Sequence, residues 1–131
     1  MRKKRADLTE AEWTLIKAVW ASEPCTAPQI QQKLAKKMGW TYSTVRTLLD
    51  RMAGKELLAA EKSGKLTFYR SVVTRKDAQR SELLYALKHA FNGALAPMVQ
   101  SLLETGDLSS DDLAELETLI KAKKKEGTKQ Q

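Results

Sequence analysis

Apolar residues recur at helical spacing along most of the chain. Trp13, Ile16 and Trp20, with Leu15 and Val19, predict a first helix over roughly residues 10–22. Ile30, Leu34 and Met38 predict a second, closed by Gly39 as a C-cap. Val45, Leu48, Leu49 and Met52 fall at i, i+3, i+4 and i+7 and predict a third, running to Gly54 or Lys55. The pattern then changes. Leu57–Lys62 and Leu66–Val72 flank Ser63-Gly64-Lys65, and the second run is rich in aromatic and β-branched residues (Thr67, Phe68, Tyr69, Val72). This predicts a β-hairpin with a basic tip formed by Lys62 and Lys65 around Gly64.

Helix starts are written into the sequence as a recurring local signature: an apolar residue, a Ser or Thr able to cap, and a partner three residues on. It occurs at Leu8-Thr9 with Glu12, Cys25-Thr26 with Gln29, Trp40-Thr41 with Thr44, Val73-Thr74 with Asp77, and Leu108-Ser109 with Asp112. Pro28 falls in the first turn of the second helix, where its missing N–H costs little. Leu8 and Trp40 are placed to staple onto Trp13 and Val45.

Three helices followed by a hairpin is the order of a winged helix-turn-helix. The second and third helices form the helix-turn-helix, the third is the reading helix, and the hairpin is the wing. The expected class is therefore mostly α with a small β-hairpin: an N-terminal winged helix-turn-helix domain (1–75) and a C-terminal helical dimerisation region (76–126). A disordered tail is expected over 127–131.

The C-terminal half predicts three further helices, near 76–92, 94–104 and 110–125. Pro97 lies in the first turn of the middle one. Their apolar stripes are Leu83, Leu84, Leu87 and Phe91; then Leu95, Val99 and Leu102; then Leu113, Leu116, Leu119 and Ile120. Three helices this short cannot bury all these side chains against one another, so the stripes predict a dimer interface. The alternative is a monomeric core folded back on the first domain.

The third helix carries the candidate chemistry. Opposite its apolar face stand Tyr42, Ser43, Thr44, Arg46, Thr47, Asp50 and Arg51. An arginine can bond a guanine edge twice, hydroxyls reach base edges or phosphates, and a helix N-terminus favours phosphate. An ordinary amphipathic surface helix would carry the same apolar back. Arg46 is the first candidate base reader, although Asp50 at i+4 offers it an intrahelical partner. Thr44 and Thr47 have competing local backbone partners. Tyr42 can stack on sugar-phosphate or cover the helix start. Arg51 and Lys55 read as phosphate contacts. The basic run Arg2–Arg5 reads as a solvated tail in preference to a minor-groove arm. Trp13, Trp20 and Trp40 read as packing residues, Cys25 as packing near the second helix start, and His89 as a surface or interface histidine.

Charge sharpens this division. Of a net +7, residues 1–75 hold 15 Lys and Arg against 7 Asp and Glu, and residues 76–131 hold 8 against 9. A basic front half joined to a near-neutral back half suits a phosphate-binding domain attached to an assembly region. No apolar run approaches the roughly 20 residues of a membrane span, and no apolar segment follows the basic N-terminus as in a signal peptide. A single cysteine excludes an internal disulfide framework and suits the cytoplasm, and with one histidine it cannot build a Cys/His zinc site from one chain. Gly64-Lys65 lacks the flanking residues of a phosphate-binding P-loop. No cofactor is indicated, and an enzyme is the poorest reading.

The motifs Leu8-Thr9-Glu10-Ala11-Glu12-Trp13, Val19-Trp20, Ser43-Thr44-Val45-Arg46-Thr47-Leu48-Leu49-Asp50-Arg51, Phe68-Tyr69 and Asp107–Leu113 resemble the BlaI/MecI/CopY family of bacterial winged-helix transcriptional repressors. The resemblance spans roughly residues 8–125. It implies a homodimeric repressor that binds dyad operators in double-stranded DNA, with Thr44, Arg46 and Thr47 at the major groove. It also implies that the wing around Lys62–Lys65 touches backbone and that the helices after Thr74 form the dimer interface. Copper-responsive members end in paired Cys-x-Cys motifs, which this chain lacks. β-Lactam-responsive members are cut at an Asn-Phe bond by a membrane sensor protease, a further partner the resemblance implies. Here Ser101-Leu102 aligns with that bond, and Phe91-Asn92 has the two residues in reverse order. Two other readings compete: a protein-interaction module on a winged-helix scaffold, and a small-molecule-responsive winged-helix regulator.

Overall fold

The computed structural model describes residues 8–130, with side chains as far as residue 127. Six helices and one hairpin follow in order: α1 (Glu10–Ser22), α2 (Ala27–Met38), α3 (Tyr42–Gly54), β1 (Leu58–Ser63), β2 (Leu66–Ser71), α4 (Arg75–Phe91), α5 (Leu95–Glu104) and α6 (Ser110–Gln130).

All of the Ser/Thr-marked starts are found, each with its side chain on the expected amide. Thr9 and Glu12 close a full capping box, as do Thr26 and Gln29. Thr41 Oγ1 accepts from the Thr44 N–H, and Thr74 Oγ1 from the Asp77 N–H. Ser109 and Asp112 bond reciprocally. Each bond satisfies an amide that the first helical turn leaves without a carbonyl. Only α5 starts without a side-chain cap, after a turn in which Asn92 (φ 52°) and Gly93 (φ 81°) are left-handed. Gly39 ends α2 with φ 66°, a conformation that costs a side-chain-bearing residue energy.

β1 and β2 pair antiparallel from Leu58 opposite Ser71 to Ser63 opposite Leu66. Gly64-Lys65 is thus a two-residue turn, with Gly64 left-handed (φ 65°). Ser63, expected at the tip, is the last residue of β1. The hairpin is tied to the segment after α1. Cys25 and Tyr69 exchange backbone hydrogen bonds (3.0 and 2.7 Å), and the Ser71 N–H donates to Glu23 Oε1.

The chain divides into two units, one ending at Tyr85 within α4 and the other beginning at Ala86. In the first, Leu15, Ile16, Val19, Ile30, Val45, Leu49, Met52 and Tyr69 are fully buried, together with Cys25, Leu58 and Ala78. Leu8, Trp13, Trp20 and Trp40 pack around them half-buried. The Trp20 indole donates to Ser71 Oγ (2.9 Å) and that of Trp13 to Glu82 Oε1 (3.3 Å), so the first turns of α4 belong with the helices and wing before it. This is a winged helix-turn-helix. Among its described residues one charged side chain is buried: Glu12 accepts from the Thr9 N–H (2.9 Å) and from Lys55 Nζ (2.7 Å).

In the second unit no described residue is buried. Leu95, Leu119 and Ile120 are more than half exposed. α6 continues through Gly127 to Gln130, so helix runs into the segment for which the sequence predicts a tail. Among the described residues, no helix is long and apolar enough to cross a membrane.

Candidate nucleic-acid interface

α3 is fixed from behind. Val45, Leu49 and Met52 are buried in the core, which sets the face that the helix turns outward. Its opposite face turns Tyr42, Ser43, Thr44, Thr47, Asp50 and Arg51 to solvent, with Arg46 half-buried at its centre. The structure therefore brings the α3 candidates onto one exposed surface. Thr44 spends part of its hydrogen-bonding capacity locally, since its Oγ1 accepts from the Thr41 hydroxyl (3.2 Å).

Arg46 is not free on that surface. Its Nε donates to Asp50 Oδ2 (3.1 Å) and its Nη1 to the Tyr42 hydroxyl (3.2 Å). Asp50 accepts a second bond through Oδ1 from the Tyr69 hydroxyl, at 2.7 Å. Tyr69 comes from β2 and is wholly buried. Burial, reinforced by the bond to Asp50 and its charge, pushes the Tyr69 pKa up to about 12, so the phenol stays a donor at any ordinary pH. The Tyr42 bond and the neighbouring Tyr69 and Asp50 hold the Arg46 pKa above its already high value. The result is a row of four side chains running from exposed Tyr42 to buried Tyr69. The i+4 partner of Arg46 was visible in the sequence, but the part played by Tyr69 was not. The only available hint was an aromatic residue in a strand next to a helix that needed covering.

The wing contributes Lys65 in the turn, Lys62 within β1 opposite Thr67, and Arg70 farther along β2, all exposed; Lys62, expected at the tip, is thus a strand residue. Lys55, expected as a phosphate contact, has an internal partner. Its ammonium is paired with the buried Glu12 carboxylate at 2.7 Å, so Lys55 serves the core. Burial works to raise the Glu12 pKa, but the Lys55 and Thr9 hydrogen bonds and the Lys55 charge outweigh it and lower the value from 4.5. Cys25 packs in the core ahead of α2, and burial pushes its thiol pKa up, away from reactivity. Arg2–Arg5 lie outside the described residues.

The apolar residues expected at a dimer interface lie on α4, α5 and α6. Leu83, Leu84, Leu95, Val99, Leu102, Leu113, Leu119 and Ile120 are exposed, while Leu87, Phe91 and Leu116 are half-buried. Ser101-Leu102 lies inside α5. Among the described residues, no group of three or more His, Cys, Asp or Glu side chains is placed to hold a metal ion.

A family model described as the penicillinase repressor matches residues 8–122. The methicillin resistance regulatory protein MecI of Staphylococcus aureus is 25% identical over 123 residues, covering 94% of this chain and 100% of the relative. The penicillinase repressor of Bacillus licheniformis is 28% identical over 122 residues, covering 93% and 95%. Among solved structures, the DNA-binding domain of the repressor BlaI matches with a TM-score of 0.51 at 25% identity, over 58% of this chain and 93% of that one. The Bacillus licheniformis BlaI monomer in complex with the blaP half-operator matches with a TM-score of 0.50, again at 25% identity and over 58% and 93%.

Proposed function

The chain belongs to the penicillinase repressor family, and from that premise we propose that it is a DNA-binding transcriptional repressor that acts as a homodimer at dyad operators. The observation that carries the reading is the exposed face of α3. A winged helix-turn-helix presents its third helix with two arginines, an aspartate, a tyrosine and three short hydroxyls outward, beside a basic hairpin. The likeness to a BlaI monomer bound to its half-operator, over 58% of this chain, supports the reading.

In this reading Arg46 bonds a guanine edge in the major groove, with Ser43, Thr44 and Thr47 around it. Tyr42 and Arg51 flank them toward the backbone. Lys62 and Lys65 bind phosphate and add affinity for any sequence. The exposed apolar residues of α4 to α6 pair two chains, and two-fold pairing sets two reading helices at a fixed spacing.

A footprint on DNA flanking the protein's own gene, at about 150 mM salt, tests this. The expected result is a protected dyad whose half-site centres lie one helical turn or a multiple apart. Equal, weak, strongly salt-dependent binding to that DNA and to a scrambled duplex would count against specific repression at that site. A genome-wide search that also found no preferred site would reject the reading.

A further inference from the structure

Asp50 occupies an unusual place on the candidate reading face. It is a carboxylate on a surface otherwise hydroxylic or basic, and its side chain is 53% exposed. An exposed i,i+4 ion pair is ordinarily loose and contributes little. This one is anchored. Asp50 Oδ1 takes the hydroxyl of Tyr69, whose ring is in the core and whose backbone is bonded on both sides to Cys25. Asp50 Oδ2 takes Nε of Arg46, and Tyr42, one turn before Arg46, takes Nη1. The core thus fixes Asp50, and Asp50 and Tyr42 fix the guanidinium between them. Neither bond uses Nη2.

We propose that Asp50 is the positioning residue that presets Arg46 for a base edge, with buried Tyr69 as its anchor. This rests on the reading that α3 enters the major groove with Arg46 as a base reader. An arginine free to rotate can follow a phosphate or a base of either kind, and the rotamers lost on binding count against every sequence. An arginine already held in one pose meets a guanine in one register and a wrong base with its donors unmatched. Asp50 also carries a negative charge toward the phosphates, which weakens binding to all DNA. Its two effects have opposite signs: it lowers general affinity and raises discrimination at the base pair under Arg46. A residue that merely stabilised α3 would produce neither effect at a single position.

The test uses the full-length chain and a pool of random-sequence duplexes. Bound DNA is sequenced to give the preference at each position, and a scrambled duplex is titrated for general affinity. Arg46→Ala identifies the position that Arg46 reads, where preference should fall about tenfold or more. Asp50→Ala should lower preference at that same position about tenfold while binding the scrambled duplex about twofold tighter or more. Tyr69→Phe keeps the ring in the core and the charge on Asp50. It should lower preference at that position and leave scrambled affinity unchanged, and adding it to Asp50→Ala should cost nothing further. Thermal melts of each variant establish that it is folded. If Arg46→Ala abolishes a preference that Asp50→Ala and Tyr69→Phe retain, the positioning role is wrong and the reading by Arg46 stands. If Asp50→Ala tightens binding to the selected site with its preference intact, Asp50 is a brake and the proposal is overturned. If Arg46→Ala changes no preference at any position, the reading itself fails and the proposal goes with it.

Discussion

Two lysines on this chain carry the same formal charge and do different work, and their partners separate them. Lys55 holds the buried Glu12, whereas Lys65 stands exposed at the hairpin turn. Because the folded-state pKa of Glu12 is lowered below 4.5, its pairing adds stability that is present above that value and lost as pH falls through the folded one. Lys55→Ala should therefore destabilise the protein by about 1–2 kcal/mol near neutral pH, discounted from a fully buried pair because the ammonium is partly solvated. Urea melts at about pH 7 and at successively lower pH below 4.5 should show that deficit shrink as the carboxyl protonates and no longer needs the cation. A deficit that stays constant across this range would mean that Lys55 acts through packing. Lys65→Ala should leave stability unchanged, weaken all DNA sequences alike, and make the slope of log affinity against log salt shallower by about 1. A loss confined to one operator position would instead make Lys65 a base reader.

At the scale of elements, the short turn between α2 and α3 sets the angle at which α3 is presented. Gly39 enters it left-handed, and Thr41 ends it as the α3 cap. No neighbour lies near the place a Gly39 side chain would occupy, so only the backbone conformation opposes substitution. Gly39→Ala should cost about 1 kcal/mol from that strain. Thr41→Ala should cost a similar amount, about 0.5–2 kcal/mol, by leaving the Thr44 amide without its acceptor. Denaturant midpoints measure both. A loss near zero for Thr41→Ala would mean that water replaces the cap at no cost. These features were legible in the sequence because they are local: a cap and its amide are three residues apart whatever the rest of the chain does. The hairpin was legible for the same reason, and Ser63 moved from tip to strand only because the two-residue turn is the tighter closure.

At the scale of the whole molecule, the two units differ in what they bury. The first closes a core around Ile16, Val45, Leu49 and Tyr69, while the described residues of the second leave Leu95, Leu119 and Ile120 more than half in water. Apolar surface of that kind is favourable only when covered. On the proposed pairing of two chains, Leu119→Glu combined with Leu102→Glu should shift the protein from dimer to monomer in analytical ultracentrifugation. It should also lower affinity for a dyad site far more than for a half-site. Retention of the dimer by the doubly charged variant would place the interface elsewhere. The balance of 15 cations against 7 anions in residues 1–75 makes a further demand at this scale. Binding to any duplex should weaken steeply with salt, and that dependence should reside in the first unit.

The sequence by itself determined the elements, their order, the capped starts and the face of α3 turned outward, because spacing along a helix or strand follows from backbone geometry alone. It also carried the family motifs, from Leu8 to Leu113. Tertiary structure decided who partners whom at a distance. Lys55 reaches Glu12 across 43 residues, Trp20 reaches Ser71 across 51, and Tyr69 reaches back 19 residues to Asp50. No periodicity encodes those separations. They follow from how α1, α3 and the wing close on one core, and that closure turns an arginine and an aspartate four residues apart into a fixed surface anchored in the protein interior.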